Sequence, residues 1–140
     1  MRIMAIDYGD AHTGIAISDP TGLLAGFTTV INSRRQEVVV EQVAALAKEH
    51  GAEELVLGHP VNMDGTLGPR SEKAKAMKVL LEEATSLPVV LWDERRTTID
   101  AHNILFNSGK NAKQRKKVVD AVAASLILEG YLTFKKSQIG

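Results

Sequence analysis

Carboxylates stand where the apolar runs of this chain stop. Asp7 follows Ile3-Met4-Ala5-Ile6, the Asp93-Glu94 pair follows Val89-Val90-Leu91-Trp92, and Asp120 lies inside the helical stretch from Val118 to Ala124. Burying an unpaired carboxylate is costly, so an acid anchored beside a core element usually faces a cation, a partner or a cleft. If these acids converge, a divalent metal is the natural counter-charge. Two such ions about 4 Å apart can hold the attacking and leaving oxygens of an in-line phosphoryl displacement, and carboxylates suit Mg²⁺ or Mn²⁺. Each acid taken alone also has a plain structural explanation: Asp7 bonding its following turn, Asp93 pairing with Arg95 or Arg96, Asp120 pairing with Lys116 or Lys117 at helical spacing.

Whether the acids meet depends on the elements that carry them. Residues Arg2 to Asp7, Thr13 to Ser18 and Leu24 to Ile31 read as strands, and Asp19-Pro20-Thr21-Gly22 supplies a tight reversal, so an antiparallel meander is expected. A helix follows from Gln36 to His50, with Ser33 and Gln36 at capping-box spacing, Val39, Val43, Leu46 and Ala47 on one face, and Gly51 closing it. Leu55 to Gly58 is an apolar run typical of a strand buried on both faces. A loop from His59 to Gly68 leads into a helix opening at Pro69 and carrying Ala74, Met77, Leu80, Leu81 and Ala84, which ends by Pro88. Val89 to Trp92 gives a fifth strand, Thr97 with Asp100 caps another helix, and a last helix spans Lys113 to Leu132.

The order βββαβαβαα makes strands one, four and five parallel, because each crossover returns the chain in the same direction. Their carboxyl ends then share an edge, the usual place for a site in an open α/β sheet. Asp7, the loop around Asp64 and the Asp93-Glu94 pair all fall there. Asp120 joins them if its helix approaches closely, which Ala123 and Ala124, one turn further on, permit. His12 and His59 are expected in loops at the same edge, whereas Trp92 and Met77 are expected in the core.

Composition narrows the class. The chain of 140 residues is sized for one domain, 1–136, with 137–140 as a loose tail. No window approaches the roughly 18 apolar residues of a membrane span. With no cysteine there are no disulfides or thiolate metal sites, and the histidines lack zinc-like spacing. The cytoplasm is the default compartment. Seventeen basic residues balance seventeen acidic ones, so any attraction to a polyanion must come from local clusters. Lys110, Lys113, Arg115, Lys116 and Lys117 form one; Arg95-Arg96 and Arg34-Arg35 form two more.

Asp7-Tyr8-Gly9, Gly14-Ile15-Ala16, Ser18-Asp19, Gly58-His59-Pro60-Val61-Asn62-Met63-Asp64-Gly65-Thr66, Asp93-Glu94-Arg95-Arg96-Thr97-Thr98 and Asp120-Ala121-Val122-Ala123-Ala124, in this order over nearly the whole chain, resemble the YqgF or RuvX family. The resemblance implies a ribonuclease-H-like fold, a mixed five-stranded sheet with helices on both faces. It also implies a nuclease, acting on the 5′ end of precursor 16S ribosomal RNA or on Holliday junctions. It makes Asp7, Glu94 and Asp120 the metal-binding acids, with Asp93 and Asp64 secondary and Arg95 a phosphate contact or an orienter of the acids. His12, Asn62, Asp64, Thr66, Lys113, Arg115, Lys116 and Lys117 join Arg95 as the expected substrate-binding set. The chain departs from the family pattern at His12, where Arg is usual, and at His59, where an apolar residue is usual. Histidine charges near neutrality, so a phosphate contact through His12 would depend on pH.

The leading expectation is therefore a Mg²⁺- or Mn²⁺-dependent endonuclease whose partners are precursor rRNA or branched DNA, and through them ribosomal particles. A monomer or weak homodimer is expected, with no membrane. Against it stands a non-catalytic nucleic-acid or ribosome-binding module, whose binding would survive a chelator. A third reading, half of an actin-like or sugar-kinase ATPase, is disfavoured because that architecture clamps nucleotide between two such domains.

Overall fold

A computed structural model describes residues 2–19, 25–59, 68–93 and 112–139. The strands are β1 (Ile3–Asp7), β2 (His12–Ser18), β3 (Ala25–Asn32), β4 (Glu54–His59) and β5 (Val89–Asp93), and the helices are α1 (Gln36–His50), α2 (Pro69–Thr85) and α3 (Ala112–Ile139). They form one sheet in the order β3-β2-β1-β4-β5. The β1–β2 and β2–β3 pairs are antiparallel, β1–β4 and β4–β5 parallel. The expected mixed sheet is present, with β1 at its centre. The reversal at residues 20–22 and the helix expected after Thr97 lie outside the described residues.

Strand alternation divides the interior in two. Met4, Ile6, Ile15, Ile17, Leu55, Leu57 and Val89 face α1 and α2, meeting Val39, Val43 and Ala47 of the first helix and Ala74, Met77 and Leu81 of the second. Ile3, Ala5, Ala16 and Val56 face the other way and pack under Ala124, Ile127, Leu128, Tyr131 and Leu132 of α3, with Val90 and Trp92 alongside. Removing each large aliphatic side chain from water contributes about 1.5–3 kcal/mol, which is why both faces of the central strands read as unbroken apolar runs.

The helix ends show where local chemistry differed from expectation. α1 spans the expected residues and stops at Gly51 in the left-handed region (φ 68°), but Ser33 does not cap it. The cap position is Arg35, and the Ser33 hydroxyl accepts the Arg35 backbone N–H at 3.1 Å. Ser33 is held out of the helix because its own N–H donates to the Ala11 carbonyl (3.0 Å), keeping it against the β1–β2 turn. α2 opens with Pro69 at its first turn, as expected, and ends at Ser86 with φ 59°. Leu80 is only half-buried and Ala84 is exposed, so its core stripe is narrower than the sequence implied. α3 runs on past Leu132 to Ile139, into the residues read as a tail.

Candidate active site

Asp7 is the last residue of β1 and half-buried. It follows Ile3 and Ala5 in the alternation, so it stands on the α3 side of the sheet. Its neighbours on both adjoining strands are glycines: Gly14 is its register partner on β2, and one step beyond the Ile6–Leu57 pair brings it beside Gly58 of β4. No side chain flanks the carboxylate in the sheet. Among the described residues it makes no hydrogen bond or ion pair. A half-buried acid flanked in the sheet by glycines, with no partner among the described residues, suits an oxygen ligand for a hard divalent cation.

The turn after Asp7 is closed by a steric demand. A Cβ on Gly9 would lie 2.4 Å from the His12 carbonyl oxygen, so only glycine lets the chain turn back this tightly. Asp10, on the same turn, reaches Lys73 of α2 at 3.4 Å, an exposed pair. His12 opens β2 instead of lying in a loop, and its Nδ1 is 2.6 Å from Oδ1 of Asn32, its register partner on β3. The contact ties the imidazole to the edge strand, with the donor set by the tautomer of His12.

His59 is likewise a strand residue, the last of β4. Its Nε2 lies 2.5 Å from Oγ of the buried Ser71 on α2, tying the strand end to the first turn of the following helix. His59 pairs in register with Asp93. Val89 and Leu91 of β5 face α1 and α2, so Asp93 also lies on that side, opposite Asp7. Trp92 is on the Asp7 side; it meets Tyr131 edge-on (5.8 Å between ring centroids) and lies against Gly130. Both Trp92 and Met77 are packed into the interior, as expected.

Position 120 falls on α3 one turn before Ala124, which shares a buried cluster with Ala5 and Ala16. Lys113, Arg115, Lys116 and Lys117 occupy the first turns of the same helix. The side chains of these five residues, and the whole of Asn62, Asp64, Thr66, Glu94 and Arg95, lie outside what the structure describes. Among the described residues no three metal-ligating side chains cluster; of the three acids expected to bind metal, only the Asp7 side chain is in that set. No described helix is long and apolar enough to cross a membrane.

Sequence reasoning missed Asn32 as the partner of His12. It also missed a polar cluster at the far end of α3, where Glu54, the first residue of β4, meets Tyr131 and Lys135. Neither was visible, because both unite residues distant in sequence and ordinary in composition. Of the basic clusters, Arg35 is engaged by Glu37 at 2.7 Å. The Glu37 carboxyl is held below its usual range by a backbone hydrogen bond and by that guanidinium.

A family model described as "RuvX: Holliday junction resolvase" matches residues 1–134. The chain belongs to the RuvX family. A relative from Halothermothrix orenii named "Putative pre-16S rRNA nuclease" is 42% identical over 140 residues, covering 100% of both chains. Among solved structures, Thermus thermophilus RuvC in complex with a Holliday junction substrate superposes with a TM-score of 0.65 at 14% identity, covering 98% of this chain and 96% of that one. Fowlpox virus resolvase, solved with substrate Holliday junction DNA, gives 0.56 at 12% identity with full coverage of both chains. At such identities the two structures speak for the fold, which this RuvX chain shares over its whole length.

Proposed function

We propose that this RuvX protein is a divalent-metal-dependent endonuclease that hydrolyses phosphodiester bonds in structured nucleic acid. The observation that carries the reading is Asp7: a half-buried carboxylate between two glycines, with no partner among the described residues, at the carboxyl end of the central strand. Glu94 and Asp120 are its partners in holding Mg²⁺ or Mn²⁺. Asp93 is the weaker choice, because strand alternation turns it to the opposite face from Asp7. A cation bound there supplies the Lewis acidity that phosphodiester hydrolysis draws on.

The chain's own residues do the rest. Asp7 and Asp120 stand on a strand and a helix, elements rigid enough to keep a ligand geometry. Arg95 and the basic residues Lys113, Arg115, Lys116 and Lys117 grip the backbone of the substrate, with Asn62, Asp64 and Thr66 contributing from the β4–α2 connection. Affinity then falls with salt by nearly one logarithmic unit per phosphate contact for duplex DNA. His12, held by Asn32, adds an imidazole to this substrate-binding set.

Purified protein assayed side by side on a precursor 16S rRNA fragment and a four-way DNA junction, with Mg²⁺, Mn²⁺ or chelator, tests this. Cleavage of either substrate that needs metal and is lost in Asp7→Asn supports the reading. Binding that survives chelator, with neither substrate cut, supports the non-catalytic module instead. The substrate that is cut identifies the biological class; junction cleavage should come with a two-fold dimer in solution mass measurements.

A further inference from the structure

We propose that Glu54, Tyr131 and Lys135 form a positioning device that fixes the axial place and rotation of α3 on the sheet, and through them the acid at position 120. The inference rests on the reading of Asp120 as a metal-binding acid. Tyr131 Oη donates to one oxygen of the Glu54 carboxylate, and Lys135 Nζ donates to the other at 2.6 Å. The two donors are one helical turn apart, so both oxygens of a single buried carboxylate are claimed by successive turns of α3. Burial, and then the bond to Glu54, holds the Tyr131 hydroxyl well above the usual tyrosine range, which keeps it a donor.

The aliphatic contacts of α3 among the described residues lack this directionality. Ala123 and Ala124 are small, and Ile127, Leu128 and Leu132 contribute van der Waals packing that a small slide could re-form. A slip of one residue moves a helix by about 1.5 Å and turns it by about 100°, and it would break both bonds to Glu54. Glu54 itself cannot follow, because its strand is tied to β1 through the Ile3–Glu54 register and to β5 beyond it. Tyr131 lies eleven residues after Asp120, about three turns and some 16 Å along the axis, so the two positions share a helix face to within about 20°. The rotation set at Tyr131 is therefore delivered almost unchanged at 120. A buried ion pair is weak evidence for stability, since apolar packing often does as well; specifying a register is its best-attested use.

The test compares Tyr131→Phe and Glu54→Gln with the parent protein and with Asp7→Asn. It measures Mn²⁺ affinity from the electron paramagnetic resonance of free Mn²⁺, thermal unfolding, and the kcat and KM of the cleaved substrate. The expected result is a folded protein whose Mn²⁺ affinity and kcat both fall roughly 10- to 100-fold, as for outer partners of metal sites, with KM little changed. If Glu54→Gln does not fold, Tyr131→Phe, which removes one hydroxyl, carries the test. Variants that unfold earlier yet bind Mn²⁺ and turn over like the parent overturn the inference while leaving the nuclease reading intact. If Asp7→Asn also binds Mn²⁺ like the parent, the metal reading falls and this inference with it.

Discussion

The two faces of the sheet are built on different terms. The face under α1 and α2 is closed by two helices, and its cluster is dominated by Met, Ile, Leu and Val from all five strands, β3 adding Ile31. The face under α3 is covered by one described helix. Among the described residues its apolar centre is smaller, and it carries Asp7 at one end and Glu54 at the other. A single chain thus separates two tasks that compete for the same residues: one side supplies cohesion, and the other surrenders some of it to keep charged groups in fixed places.

The sharpest break of that comparison is Asp7→Asn. It should leave the unfolding temperature near that of the parent while cleavage drops to background, since on the proposed reading it removes a metal ligand and no packing. On the opposite face Leu81→Ala should do the reverse, costing about 2–5 kcal/mol in denaturant unfolding with activity per folded molecule retained. Activity lost in proportion to neither stability nor metal binding would show that the faces are coupled. Ala124→Val should cost about 1–3 kcal/mol by overpacking, yet lower activity more than Leu81→Ala does, because it lifts α3 from the sheet one turn after Asp120.

Smaller effects refine the picture. Tyr131 has its folded-state pKa raised above the ordinary value of 10.0, so its contribution is complete below about pH 10 and is lost as pH rises beyond that. Unfolding followed across the alkaline range should show a fall that Tyr131→Phe flattens. The smallest effect belongs to Thr13, which is fully buried on the α1/α2 side with a hydroxyl that finds no partner among the described residues. Thr13→Val should be neutral or stabilising by up to about 1 kcal/mol, measured by calorimetry.

Much of this was legible in the sequence. Apolar runs ending in acids gave strand ends, Gly51 gave a helix stop, and the crossovers gave the parallel pairs that bring Asp7 and Asp93 to one edge. The choice between faces was not legible. Val89-Val90-Leu91-Trp92 is apolar throughout because β5 is packed on both sides, so nothing in it says which way Asp93 turns until its neighbours are known. The Ser33 cap failed for a related reason, since a backbone bond to Ala11, far away in sequence, held Ser33 out of the helix. Glu54 looked like the polar end of a strand, and no local pattern ties it to residues more than seventy positions later.

The central place of β1 also bears on which parts of the molecule open. β3 and β5 are the edges, and either can detach by local opening without disturbing the ladders that hold β1 between β2 and β4. Amide exchange should therefore be slowest in β1 and β4 and limited there by global unfolding. The carboxylate of Asp7 is carried by the segment that lets go last, so excursions at the sheet's margins need not reach it.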